Sequence, residues 1–151
     1  MRTFESLDAL VAAKGEVLGT SSWVEITQEA VNLFADATGD HQWIHVDVEK
    51  AKSGPFGGTI AHGFMTLSLI PRLMHEMYTV GGIKLAINYG LNKTRFPAPV
   101  PSGSRVRAVC TLQAADVISP NTLQLTEVVT MEVEGQGKPA CVAEAIMRVG
   151  F

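Results

Sequence analysis

The sequence predicts an α+β fold in which one long apolar helix lies against an antiparallel sheet. Residues 61–78 form the first observation. Phe64, Met65, Leu67, Leu69, Ile70, Leu73, Met74 and Met77 are apolar nearly all round a helix, so that helix belongs inside the molecule. The second is everything after Gly82, which reads as strands rich in Val, Thr and Leu with visible alternation. The third is what joins those strands: Pro120-Asn121 and Glu134-Gly135-Gln136-Gly137 are short turns. Strands joined by short turns pair antiparallel and leave one face to be covered. The apolar helix is the obvious cover.

The elements follow in order. Residues 6–14 place Leu7, Leu10 and Val11 at helical spacing, and Gly15 ends that helix. Residues 17–26 alternate loosely around Trp23, Val24 and Ile26 and read as a strand. Thr27 is an N-cap for a helix whose first turn is acidic and whose apolar face is Val31, Phe34 and Ala35; it should stop near Gly39. Residues 40–58 are irregular and end in a Gly-Pro-Phe-Gly-Gly loop. Pro71 is expected to kink the long helix. The later strands span 83–91, 104–117, 122–133 and 141–149. No linker or repeat divides residues 1–151, which are expected to form one domain.

The chain has 151 residues, of which 46% are hydrophobic and 18% charged, enough for a real core without disulfides. A net charge of −3 gives no electrostatic reason to bind nucleic acid or an anionic membrane. No apolar run is long enough to span a bilayer, and the acidic N-terminal stretch does not read as a signal peptide. Cys110 and Cys141 are far apart and lie in strands, so two reduced core thiols in a cytoplasmic protein are expected.

The densest polar constellation runs from Phe34 to Asp47 and resumes at Ile60-Ala61-His62-Gly63. Asp40 and His45 bracket Trp43 and Ile44, so a carboxylate and an imidazole can hold one water from two sides. Apolar neighbours would move both groups toward neutrality, where acid–base work is done. His62-Gly63 opens the long helix. The first N–H groups of a helix have no internal partner, so a carbonyl oxygen placed there would be polarised.

Asp40-x4-His45, the Gly-rich loop after it and Ala61-His62-Gly63 leading into an apolar helix resemble the MaoC-like, (R)-specific enoyl-CoA hydratases. Arg95-Phe96-Pro97-Ala98-Pro99-Val100-x-x-Gly103 is similar to that family's strand and turn after the helix. The resemblance covers the chain from about Trp23 to its end. It implies a hotdog fold, with a curved antiparallel sheet wrapped round the helix, and a homodimer. It implies hydration of a trans-2-enoyl thioester, carried by coenzyme A or acyl carrier protein, to the (3R)-hydroxyacyl product, or the reverse dehydration in fatty acid metabolism. Asp40 and His45 would activate the water, and the Gly63 N–H would bind the thioester oxygen. Ser68, Asn92 and Arg95 would support the site, while Lys93, Arg95 and Arg105 are candidates for the phosphates of coenzyme A. The chain departs from the family where many members have Asn-Pro between the Asp and the His; here His41-Gln42-Trp43-Ile44 intervenes, and Trp43 is expected to reshape the acyl pocket.

Plainer readings stand beside these. Asp40 is also a good turn residue after Gly39. Ser68 would ordinarily bond the carbonyl four residues back, and His62 is expected to make a structural hydrogen bond at the helix entrance. His41 and His45 could share a metal only on a continuous helix, which Gly39 opposes, so no metal is expected. No nucleophile elbow and no dinucleotide or Walker loop is present, so no cofactor is expected. Two other functions fit the same fold: an acyl-CoA thioesterase, and a non-catalytic partner subunit of a hydratase. The intact Asp40–His45 pair favours hydration over both.

Overall fold

The computed structural model describes residues 1–151. Its main sheet has strands β2 (Val17–Thr20), β3 (Val24–Glu25), β5 (Leu85–Arg95), β6 (Arg105–Ser119), β7 (Thr122–Val133) and β8 (Cys141–Gly150). The order is β2-β6-β7-β8-β5, with β3 also pairing β6, and every one of these pairings is antiparallel. Against it lie the short helices α5 (Gly63–Ser68) and α6 (Ile70–Met74). This is the hotdog arrangement, and the α+β expectation holds.

Alternation positions the core. On β7, Leu123, Leu125, Glu127, Val129, Met131 and Val133 are buried; β6 offers Val106, Ala108, Cys110 and Leu112 to the same side. Leu73 and Met74 of α6, with Met65 of α5, fill the space against them. Both cysteines are free and fully buried.

Three elements differ from expectation. The strand predicted over 17–26 is two short strands separated by Ser21, whose hydroxyl accepts from the Ala108 N–H at 2.9 Å. The helix predicted over 61–78 breaks at Leu69 and ends at Met74. Pro71 cannot donate to the carbonyl four residues back, so the hydrogen-bond ladder loses a rung there. His75, Glu76 and Met77 form a turn, and Tyr78 instead opens strand β4 (Tyr78–Val80), parallel to an N-terminal strand β1 (Arg2–Phe4) that no alternation announced. The helix is also less enclosed than its sequence suggested, since Phe64 is 69% exposed.

Helix α1 (Leu7–Ala12) is capped by Ser6, and α2 (Gln28–Thr38) by Thr27, whose hydroxyl accepts from the Ala30 N–H at 3.1 Å. Gly39 ends α2 at φ 77, a left-handed turn that glycine adopts without a Cβ penalty. The stretch read as irregular contains two one-turn helices, α3 (Trp43–Val46) and α4 (Val48–Lys52). No helix is long and apolar enough to cross a membrane.

Candidate active site

The site forms where the segment after α2 folds over the entrance of α5. Gly39 turns the chain and Asp40 follows, its Oδ1 accepting from the Gln42 N–H at 3.3 Å. That bond leads into α3, which carries His45. Two tethers fix α3: the Ile60 N–H donates to the Ile44 carbonyl at 3.0 Å, and Gln28 Nε2 donates to the His45 carbonyl at 2.7 Å. Thr59 in turn donates to the Gln28 amide oxygen. These supports come from two separate stretches of chain, one at Gln28 and one at Thr59-Ile60.

His45 is buried at 6% exposure, with Nδ1 2.7 Å from the Ile60 carbonyl. A carbonyl only accepts, so Nδ1 carries the proton and Nε2 keeps a free lone pair. Burial lowers the His45 pKa below its ordinary value; the neighbouring His62 adds to this, while the Ile60 bond and Asp40 oppose it. The ring therefore favours its neutral, proton-accepting form. Asp40, His45 and His62 each offer a polar atom, and these atoms lie within 4.8 Å of one another. Asp40 is exposed and can exchange protons with solvent; His45 is not. An exposed carboxylate and a buried neutral imidazole at that separation can share one water molecule.

The same three residues are grouped as a metal triad would be. Their geometry fits a metal poorly: the His45 and His62 rings stack with centroids 3.8 Å apart and planes at 25°. Lone pairs on near-parallel rings do not converge on one ion lying in both ring planes.

Gly63 is the first residue of α5, preceded by His62 in an extended conformation. A Cβ on Gly63 would lie 3.1 Å from the Phe96 ring. The absent side chain thus makes room for an aromatic neighbour, a reason the sequence did not reveal. His45, Gly63, Phe56 and Phe96 line a mostly apolar cavity of about 260 Å³. Larger grooves lie elsewhere; one of about 390 Å³ runs between the α5–α6 segment and strands β5 and β8.

Asp40 and His45 are brought together, and His45 and Gly63 line one cavity, which Asp40 does not border. The other expected residues lie elsewhere. Ser68 donates to the Phe64 carbonyl at 2.7 Å, the plainer reading of a helix serine, and borders the larger groove. Asn92 donates to Glu144 at 2.6 Å. Arg95 donates to the Thr94 carbonyl at 2.8 Å and lines a separate pocket of about 310 Å³ with Lys93, Val128 and Glu144. Arg105 forms a two-pronged pair with Glu134, its Nε 2.6 Å from Oε2. Trp43 does not line the cavity; its ring packs on Gly54 beneath the Lys50 ammonium. Sequence reasoning missed the Ile60 carbonyl, which is backbone and leaves no signal, and Phe96, whose tight fit with Gly63 is visible only in three dimensions.

Comparison with known proteins bears on the fold and the family. The family model described as MaoC like domain matches residues 10–134. A 3-hydroxyacyl-thioester dehydratase Z of Mycobacterium tuberculosis is 69% identical over 148 residues, covering 98% of each chain. A nodulation protein N of Rhizobium leguminosarum bv. viciae is 43% identical over 139 residues, 91% of this chain and 86% of that one. Among solved structures, an (R)-hydratase from A. caviae involved in PHA biosynthesis superposes with a TM-score of 0.72 at 25% identity, over 87% of this chain and 95% of the other.

Proposed function

Because the chain belongs to the MaoC-like domain family, we propose that it adds water to trans-2-enoyl-CoA thioesters to give (3R)-hydroxyacyl-CoA, or runs the reverse dehydration, in fatty acid metabolism. It is an enzyme of the hydratase/dehydratase class, as its similarity to a named 3-hydroxyacyl-thioester dehydratase indicates. Acyl carrier protein is the other carrier of the same thioester. Residues 1–151 act as one domain.

The observation that carries the reading is the pairing of Asp40 and His45: an exposed carboxylate and a buried imidazole with a carboxylate oxygen and a ring nitrogen within 4.8 Å of each other, the ring held by its Nδ1 to the Ile60 carbonyl. In hydration, His45 Nε2 and the Asp40 carboxylate hold the water, and one of them removes its proton as oxygen bonds to the β-carbon. The electron pair of the double bond moves onto the thioester oxygen. The Gly63 N–H stabilises that enolate oxygen, as an unpartnered helix donor does. A proton then returns to the α-carbon. Water, proton donor and acceptor suffice, and no redox step occurs. Phe56 and Phe96 give the cavity an apolar wall suited to an acyl chain.

A homodimer accompanies this reading. Strand β5 pairs only with β8, so its other edge is open, and Leu85, Ile87, Tyr89 and Leu91 on it are exposed. An open edge with apolar side chains calls for a partner strand, and a second copy supplies one of the same length.

The test is loss of enoyl-thioester absorbance with crotonyl-CoA and longer enoyl-CoA substrates, beside Asp40→Asn and His45→Gln. Hydration by the wild type, with both variants down by about 100-fold or more, is the expected result. Release of free coenzyme A without hydration would establish a thioesterase instead.

A further inference from the structure

His62 lies next to the reacting groups, yet it has no part in the water addition just described. It is 3% exposed, closed in by Phe34 on one side, with ring centroids 5.0 Å apart, and by His45 on the other. Its Nε2 lies 2.9 Å from the Asp40 carbonyl and therefore donates to it. Three side-chain hydrogen bonds reach or leave Asp40. Those with Thr38 and Gln42 are local, at 3.4 and 3.3 Å; the His62 bond is shorter and comes from 22 residues away. The segment bearing Asp40 follows a glycine turn and has no ladder of its own. Its position over the entrance of α5 thus rests on this bond. A face of the same ring stacks on His45, with centroids 3.8 Å apart.

We propose that His62 is a positioning residue for the reaction, fixing Asp40 by the bond to its backbone carbonyl and His45 by the face of its ring, so that the pair meets one water at a set separation. The inference rests on the hydratase reading above and adds a residue to it. One buried side chain at the helix entrance ties the two halves of the site together. Its neighbour Gly63 is the residue whose N–H faces the substrate oxygen, so water site and oxyanion site are referred to the same turn of backbone. A displacement of about 1 Å between reacting groups costs on the order of 100-fold in rate, which sets the size of effect expected.

Two variants separate the contributions. His62→Phe keeps a ring against His45 and removes the donor. His62→Gln puts an N–H near the original Nε2 position and removes the ring. The expected result is a fall in kcat/KM of about 30- to 100-fold for His62→Phe, with partial recovery in His62→Gln. KM should change little, because no substrate contact is lost. A full-rate His62→Phe enzyme, or a His62→Gln enzyme no better than His62→Phe, would overturn the proposal.

A second measurement does not depend on turnover. The groups facing His62 are the Asp40 carboxylate, 3.9 Å from Nε2, and the His45 imidazole; α2 presents the apolar Phe34, and the exposed Asp36–His41 pair lies beyond. Removing the His62 ring nitrogens removes an influence that disfavours the His45 cation. The His45 resonance, assigned by its disappearance in His45→Gln and followed by long-range proton–nitrogen NMR, should titrate at higher pH in both His62 variants. An unchanged His45 titration in both would overturn the positioning role whatever the substrate is. A wild type that hydrates no enoyl thioester, with His45 still responding to His62, would overturn the functional reading and leave the positioning role standing.

Discussion

The Nδ1 of His45 donates to the carbonyl oxygen of Ile60 at 2.7 Å, which leaves Nε2 as the only basic atom that ring presents. A backbone acceptor cannot itself change protonation, so whenever the ring is neutral its proton sits on Nδ1. Burial, the largest influence on this ring, lowers its pKa. The acid limb of kcat/KM should therefore fall below the ordinary histidine range near 6.5. Activity should persist into mildly acidic solution and fail once His45 is protonated. A pH–rate profile whose acid limb lies above that range would contradict this assignment of the base.

Gly63 offers a substitution that deletes an N–H with little change of backbone. Proline is tolerated at the first residue of a helix, and His62 already has the extended conformation that a following proline requires, at φ −63 and ψ 139. Both Gly63→Ala and Gly63→Pro introduce a Cβ against Phe96, at 3.1 Å, but only proline removes the donor. The ratio of their rates reads the contribution of the N–H. It should be about 100-fold or more if that group stabilises the enolate. Equal rates would remove Gly63 from the mechanism.

Glu127 is fully buried on the core face of β7, accepts from the Tyr78 hydroxyl at 2.6 Å, and has no partner for its second oxygen. Burial pushes its carboxyl from 4.5 up to about 7, against the smaller lowering effect of the Tyr78 and Cys110 contacts. The folded state thus holds a proton that the unfolded chain releases. The stability this group contributes is fully present below the unfolded value of 4.5 and is lost as pH rises through about 7. Across that window the loss amounts to about 3 kcal/mol. Glu127→Gln, which copies the protonated acid, should flatten the dependence and be the more stable protein at pH about 8. Urea unfolding of both proteins across that range checks it, and a wild type as stable at the alkaline end as at the acid end would refute it.

The open edge of β5 predicts assembly. Ile87, 48% exposed on that strand, is a position where a charge blunts pairing without touching the core. Ile87→Lys should lower the mass measured by light scattering from that of two chains to that of one, with cavity residues such as His45 and Gly63 left in place. A wild type that runs as a single chain would end the homodimer proposal.

Much of this architecture was legible in residue order. Period-two alternation marked the four long strands, and Thr27 and Gly39 marked the ends of α2, because side-chain burial and cap chemistry are local requirements. Asp40, His45 and Gly63 were legible because their residue types and spacing suit acid–base and oxyanion chemistry. Residue order did not separate α5 from α6, since a run of apolar residues looks the same whether or not its ladder is continuous through Pro71. Nor did it announce β1, three residues whose strand exists only because β4 lies beside them.

The sequence by itself determined the α+β class, an apolar helical stretch against an antiparallel sheet, and the short spacing of a carboxylate and an imidazole, since both follow from periodicities and spacings that a chain carries wherever it folds; the hotdog arrangement was implied by the family resemblance. Only the tertiary structure decided the working state of those groups. The Ile60 carbonyl chooses the tautomer of the neutral His45, His62 holds Asp40 from 22 residues away, and Phe96 packs closely over the glycine at position 63. It also drew Ser68, Asn92 and Arg95 to partners outside the cavity. The physical reason is common to all of them: hydrogen bonds and van der Waals contacts act over a few ångströms, and which groups come that close is settled by packing between segments far apart in the chain.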